Sequence, residues 1–100
     1  MPDPYRTTVA TSDLDRLSVA LDVVDQHAEL NHRYRKLLHD SRQVLASSEI
    51  RLTQARGVAK KLLVLVKAAG PAMRSGLRAE DDAAVDAGLA QADDLIRGTD

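Results

Sequence analysis

The side chains best suited to chemistry are concentrated in residues 31–40, NHRYRKLLHD, where two histidines, a tyrosine and three bases surround a pair of leucines. Just before them, Glu29 and His32 have the i, i+3 spacing of the Glu-x-x-His element of di-iron helix bundles. A di-iron centre needs two such elements, and this sequence contains one. His32 and His39 are about two helical turns apart, too far to bind one ion together. We therefore expect no metal ion and interpret the histidines as solvated surface groups.

Sequence motifs of enzymes are missing from the chain. There is no glycine-rich phosphate loop, no nucleophile elbow, and no cysteine to pair with a histidine. Tyr5 and Tyr34 are the only aromatic residues, so little is available to line a deep pocket. The sequence predicts a non-enzymatic protein without a cofactor or a small-molecule substrate. The cytoplasm is the expected location, because the longest apolar run, residues 62–66, is too short to cross a membrane.

Charge is arranged in blocks, although the net charge is only −1. Residues 13–30 carry a net −4, residues 31–78 a net +9 and residues 79–100 a net −6. One hypothesis is a DNA- or RNA-binding regulator that uses the basic segment 33–67 and is inhibited by its own acidic C-terminal helix. In the other interpretation, the basic block faces the acidic blocks, within one molecule or between neighbours. The predicted contacts to nucleic acid or to an acidic partner are Arg33, Arg35, Lys36, Arg42, Arg56, Lys60 and Lys61.

Residues 52–62, LTQARGVAKKL, resemble the opening of a helix-turn-helix motif of the phage-repressor type at Thr53, Gln54 and Ala59. The resemblance implies DNA binding through the helix that follows the turn. The glycine expected at that turn falls on Leu63, and the apolar residues after it leave no polar recognition helix.

An apolar row with a seven-residue repeat runs through the middle of the chain, as in a coiled coil. Asn31 interrupts this row with a polar side chain, and Tyr34 lies beside it in the companion row. Polar residues in a coiled-coil seam usually fix register or oligomeric state, and we assign that role to Asn31. The stripe is broader than a two-stranded coiled coil requires, which favours a larger bundle. The predicted oligomer interface comprises Leu17, Val24, Asn31, Tyr34, Leu38, Leu45, Leu52 and Val66.

The main helical segment is predicted to be either one long helix, which no proline interrupts, or an αα-hairpin broken near residue 47. One continuous helix would be roughly 85 Å long, and the shorter C-terminal helix would cover only about a third of its apolar stripe. Another chain would have to cover the rest, whereas the hairpin would allow a small three-helix bundle that closes on itself. The predicted segments are a flexible lead (1–11), the main helical segment (12–69), a connector (70–78) and the acidic C-terminal helix (79–98).

These features predict an all-α fold in which a long N-terminal helix, or the hairpin, joins a shorter C-terminal helix in an oligomeric helical bundle. The predicted function is that of a self-associating subunit or adaptor in a phage or bacterial assembly. Its expected partner is itself or another helical protein. Nucleic acid stays as the alternative partner, and no membrane partner is expected.

Overall fold

The computed structural model describes residues 7–97, which are mostly helical and include a two-stranded sheet. Residues 1–6 of the predicted lead and residue 98 of the predicted acidic helix lie outside the described residues. In chain order the elements are β1 (Thr8–Ala10), a 3₁₀ turn (Thr11–Leu14), α1 (Asp15–His27), α2 (His32–Leu45), β2 (Glu49–Arg51), α3 (Leu52–Ser75) and α4 (Ala79–Arg97).

The main helical segment is not one helix, because the chain leaves helical geometry at Ala28 and re-enters it at His32. Ala28 is extended, with φ −85° and ψ 138°. Asn31 is the N-cap of α2, and its side-chain Oδ1 accepts a hydrogen bond from the backbone N–H of Tyr34 at 3.1 Å. Asparagine is among the residues most favoured at this position. The structure thus gives the polar side chain of Asn31 a role at the start of a new helix, beside the seam role predicted for it.

The second break follows α2 directly, close to residue 47, where a hairpin turn was predicted. Ala46 ends the helix, and a short turn leads into β2, which pairs antiparallel with β1 so that Val9 lies opposite Ile50. The Thr11 hydroxyl donates to the Ser47 carbonyl at 2.6 Å and fastens the start of the described chain to this turn. The end of the predicted flexible lead is thus an ordered strand, whose pairing partner lies far along the sequence.

Helix α3 is kinked at Gly70, whose φ of 76° is in the left-handed region that glycine enters without a steric penalty. Pro71 follows as the first residue of a further helical turn, where its fixed φ is favourable. The predicted stop is therefore a kink, and the non-helical part of the connector is reduced to Gly70 and residues 76–78. Upstream of the kink, α3 is continuous through Leu63, so the turn of a helix-turn-helix motif does not form there.

The helices bury most of the apolar stripe within the chain itself. Leu17, Val24 and Leu62 are fully buried, and Ile50 of β2 belongs to the same core cluster. The radius of gyration is 13.3 Å, as expected for a compact domain of this length, and the longest dimension is 43 Å. The expected rod of roughly 85 Å with an uncovered stripe is wrong, because two breaks fold the stripe back on itself.

Helices α1 and α4 cross with very close backbone contact at Gly88. A Cβ atom at this position would lie 2.3 Å from the Cβ of Ala20 and 2.9 Å from the carbonyl oxygen of Arg16. Neither neighbour can move aside easily, since one is a short side chain on a helix and the other is backbone. Glycine is therefore required where these two helices meet.

Gln91 of α4 completes the start of α1, which has no side-chain cap of its own. Its Nε2 donates to the carbonyl of Asp13 at 2.7 Å, and its Oε1 accepts from the backbone N–H of Leu17 at 3.2 Å. The second bond satisfies one of the backbone N–H groups that the first turn of a helix leaves unpaired. The acidic helix is thus an integral part of the fold.

Candidate interaction surface

Three of the eight residues of the predicted oligomer interface lie inside the chain. Leu17, Val24 and Leu38 are at most 3% exposed, and side chains buried in their own fold are not available to a second chain. This part of the predicted interface is therefore the core of one molecule. The partly buried members Tyr34, Leu45 and Val66 pack against the same core, and Leu52 is also partly buried.

Helix α2 holds its basic residues on the outside, and Arg42 connects it to α1. The two terminal nitrogens of Arg42 lie 3.0 Å from an oxygen of Asp22 and 3.0 Å from an oxygen of Asp25. These side chains are each nearly half exposed, so solvent weakens both ion pairs. Arg33 and Lys36 are exposed and form no ion pair with any other residue of the described range 7–97.

Two arginines of α3 hold α4 at its two ends. Arg56 donates through Nε to the Leu95 carbonyl at 3.2 Å, near the C-terminus of α4. Arg74 pairs with Asp82 at 2.9 Å and with Asp86, near the N-terminus of α4. Hydrogen bonds to Asp86 and Asp82 raise the pKa of Arg74 above its ordinary value. Helices α3 and α4 therefore run antiparallel, and part of the basic block faces an acidic block of the same molecule.

The outward face of α3 combines lysines with exposed apolar side chains. Lys60, Leu63, Val64 and Lys67 have the i, i+3, i+4, i+7 spacing of residues on one helix face. All four are exposed, Leu63 by 37% and Val64 by 45%. Neither lysine forms an ion pair within the part of the chain that the structure describes. We call these four residues the basic–apolar face.

Leu63 and Val64 were missed as site residues, although the sequence contained a signal. They lie in the apolar run of residues 62–66, whose members Leu62 and Leu65 are buried three positions apart. A helix can direct only part of a five-residue run toward one core, so the residues between those two must turn outward. Once Leu62 and Leu65 are known to be buried, the outward members of the run follow from the helical periodicity.

Helix α4 carries a net charge opposite to that of α3. It carries six acids against one arginine, a net charge of −5, whereas α3 carries five basic residues and no acid. Glu80 and Asp94 are exposed and form no ion pair with other residues of the described chain. Because Lys60 and Lys67 stay exposed, α4 does not lie over them, and the inhibitory cover predicted for this helix is not formed at these two lysines.

The three histidines, His27, His32 and His39, are all exposed. His27 lies 3.7 Å from Asp81, at the point where the end of α1 approaches the start of α4. Within residues 7–97, no group of three or more histidines and carboxylates is arranged to hold a metal ion.

Comparisons of this chain with protein-family models, curated proteins and solved structures find no match. Among the described residues, no helix has the length and apolar character needed to span a bilayer.

Proposed function

We propose that the protein is a non-enzymatic interaction protein that self-associates through the basic–apolar face of α3. The observation that carries this proposal is the exposure of Leu63 and Val64 between Lys60 and Lys67 on a helix of an otherwise compact fold. Adjacent exposed apolar residues bordered by charge are typical of a protein-binding patch. The sequence predicted self-association from an uncovered apolar stripe. The proposal rests instead on the basic–apolar face, since the chain itself already covers that stripe.

The apolar centre of the face favours a protein partner over nucleic acid. Covering Leu63 and Val64 is favourable when apolar atoms replace water around them, and a phosphate backbone offers no such atoms. The flanking lysines then select a partner that carries acids beside a small or apolar surface.

A second copy of this chain has such a surface on α4. Its exposed residues Glu80, Ala83, Ala90 and Asp94 lie on the outward side of the helix, with small side chains between acids. Small residues allow Leu63 and Val64 of another copy to approach the helix backbone, and the acids carry the charge opposite to that of the two lysines. The acidic helix therefore docks on the basic surface of a neighbour.

Sedimentation velocity over a range of protein concentrations tests the proposal. We expect reversible self-association of the wild-type chain that weakens at high salt and is lost on the substitution Val64→Gln. The matched control is Val19→Gln, because Val19 is 47% exposed on α1, outside the proposed face. A wild-type protein that stays monomeric at all concentrations, or equal weakening by both substitutions, would overturn the proposal.

Binding to DNA or RNA is a second candidate, supported by one observation. Arg33, Lys36, Lys60 and Lys61 form no ion pair within the described residues, and such free cations are what phosphates require. The test uses the full chain, because removing α4 would uncover the core at Gly88. The affinity for nucleic acid should fall steeply with salt concentration, and binding should vanish in the double variant Lys60→Glu, Lys61→Glu. An affinity that does not change with salt concentration would dismiss this candidate.

A further inference from the structure

A cleft of about 340 Å³ opens between α1 and α2, built from residues that the proposed self-association does not use. Its size is at the lower end of the range for small-molecule sites. The buried side chain of Leu38 contributes its apolar part, and the remaining lining is polar. The lining residues are Asp25, Arg35, Leu38, His39 and Arg42.

One end of the cleft is rich in hydrogen-bond donors. Arg35 and His39 have the i, i+4 spacing that makes them neighbours on α2. Arg35 donates through Nε to the Leu30 carbonyl at 3.2 Å, which holds the guanidinium in place. Its two terminal nitrogens have no acceptor among the described residues, and neither does the His39 ring. The Arg35 guanidinium can therefore present a cationic fork to an oxyanion, with the His39 ring about one turn further along the helix.

The other end of the cleft has mixed charge. Arg42 is seven residues beyond Arg35, roughly 10 Å along the helix. Its two terminal nitrogens are already held by Asp22 and Asp25, at 3.0 Å each. Of these acids only Asp25 lines the cleft, where its carboxylate can accept hydrogen bonds from hydroxyl groups but repels a second anion. A ligand that suits both ends is anionic at one end and carries hydroxyl groups at the other.

We infer that this cleft binds a small phosphate monoester that carries hydroxyl groups. The phosphate contacts Arg35 and His39, the carbon skeleton lies against Leu38, and the hydroxyls donate to Asp25. The sequence predicted no small-molecule ligand because it showed no phosphate loop; here the donors come from side chains spaced along one helix and from a facing acid.

The test is a titration of the full-length ¹⁵N-labelled protein followed by NMR, with glycerol 3-phosphate, inorganic phosphate and glycerol as ligands. We expect saturable shifts confined to α2 and the second half of α1, with glycerol 3-phosphate bound more tightly than phosphate and glycerol not bound. The substitutions Arg35→Gln and His39→Gln should each weaken binding, Arg35→Gln by about tenfold or more, as expected for a lost charged hydrogen bond.

The matched control is Arg33→Gln, which removes the same charge from the exposed side of α2 but does not line the cleft. It should leave the affinity for glycerol 3-phosphate within about twofold of wild type, since an exposed charge contributes little. Equal losses for Arg33→Gln and Arg35→Gln would show general attraction to a basic helix and overturn the site. Absence of saturable shifts would overturn it as well, and equal affinity for phosphate and glycerol 3-phosphate would remove the role of Asp25. His39→Gln leaves the Leu30 bond intact, so it tests the site if Arg35→Gln disturbs the fold.

Discussion

The α1–α4 contact and the basic–apolar face of α3 use opposite kinds of residue. Where α1 meets α4, Gly88 and Ala20 remove side-chain bulk so that two backbones can approach. On the outside of α3, Leu63 and Val64 keep their bulk and remain 37% and 45% exposed. The first region closes the fold, and the second contributes little to it. Apolar residues that a compact chain leaves outside are the ones to examine for recognition.

The largest expected effect compares two adjacent leucines of α3. Leu62 is fully buried and Leu63 is 37% exposed. We expect Leu62→Ala to lower the free energy of unfolding by about 2–5 kcal/mol, because it leaves a cavity in the core. Leu63→Ala should change it by about 0.5 kcal/mol or less, as is usual for surface positions. Urea unfolding monitored by circular dichroism measures both, and equal losses would remove the distinction between core and face.

A smaller effect is expected at the α1–α4 crossing. Gly88→Ala should destabilise the protein by about 1–3 kcal/mol, because the new methyl group collides with Ala20 and with the Arg16 carbonyl. Gly57→Ala is the control: nothing lies within 4 Å of a Cβ atom there, and alanine favours helix over glycine by roughly 0.5–1 kcal/mol. The two substitutions should therefore shift the thermal unfolding midpoint in opposite directions. A higher unfolding midpoint for Gly88→Ala than for the wild type would contradict the close contact between α1 and α4.

The next effect distinguishes the two roles considered for Asn31. If Asn31 acts as an N-cap, Asn31→Leu should lower the free energy of unfolding by about 1 kcal/mol, because the Tyr34 N–H loses its acceptor. Asn31→Asp should restore most of that loss, since aspartate caps equally well. A seam residue would behave in the reverse way, with Asn31→Leu more stable than wild type and changed in oligomeric state. Thermal unfolding and sedimentation of the two variants decide between the roles.

An effect of similar size concerns the bonds that Gln91 makes to the start of α1. Gln91→Ala should lower the free energy of unfolding by about 1 kcal/mol, because the backbone groups of Asp13 and Leu17 must then turn to water. Gln43→Ala on the exposed side of α2 is the control and should be neutral. Hydrogen exchange should become faster at Leu17 in the first variant alone.

The sequence was sufficient to predict the helical content, the acidic last helix and the discontinuity at Gly70. It also placed Leu17, Val24 and Leu38 correctly on the apolar side of their helices, although it assigned that side to another chain. The reason is the regular repeat, which passes through Asn31 in phase. A polar residue in phase is compatible both with a seam defect and with a helix cap, and the repeat alone does not say whether the chain stays helical between Ala28 and Asn31.

Other features depended on pairings that local patterns do not contain. Strand β1 exists because Val9 lies opposite Ile50, and the cap on α1 comes from Gln91 of the last helix. The candidate site was partly predictable. Lys60 was named from its charge, whereas Leu63 and Val64 were hidden in a run that looked like core. Deciding which members of that run face outward requires the position of the core.

The most direct measurement of the central claim is a charge-exchange experiment by sedimentation velocity. One variant reverses the basic–apolar face with Lys60→Glu and Lys67→Glu, and the other reverses α4 with Glu80→Lys and Asp94→Lys. We predict that the wild type associates, that each variant alone is monomeric, and that an equimolar mixture of the two variants associates again, because the reversed charges match. A mixture that stays monomeric, although both variants are folded by circular dichroism and the wild type associates, would contradict the pairing of α3 with α4.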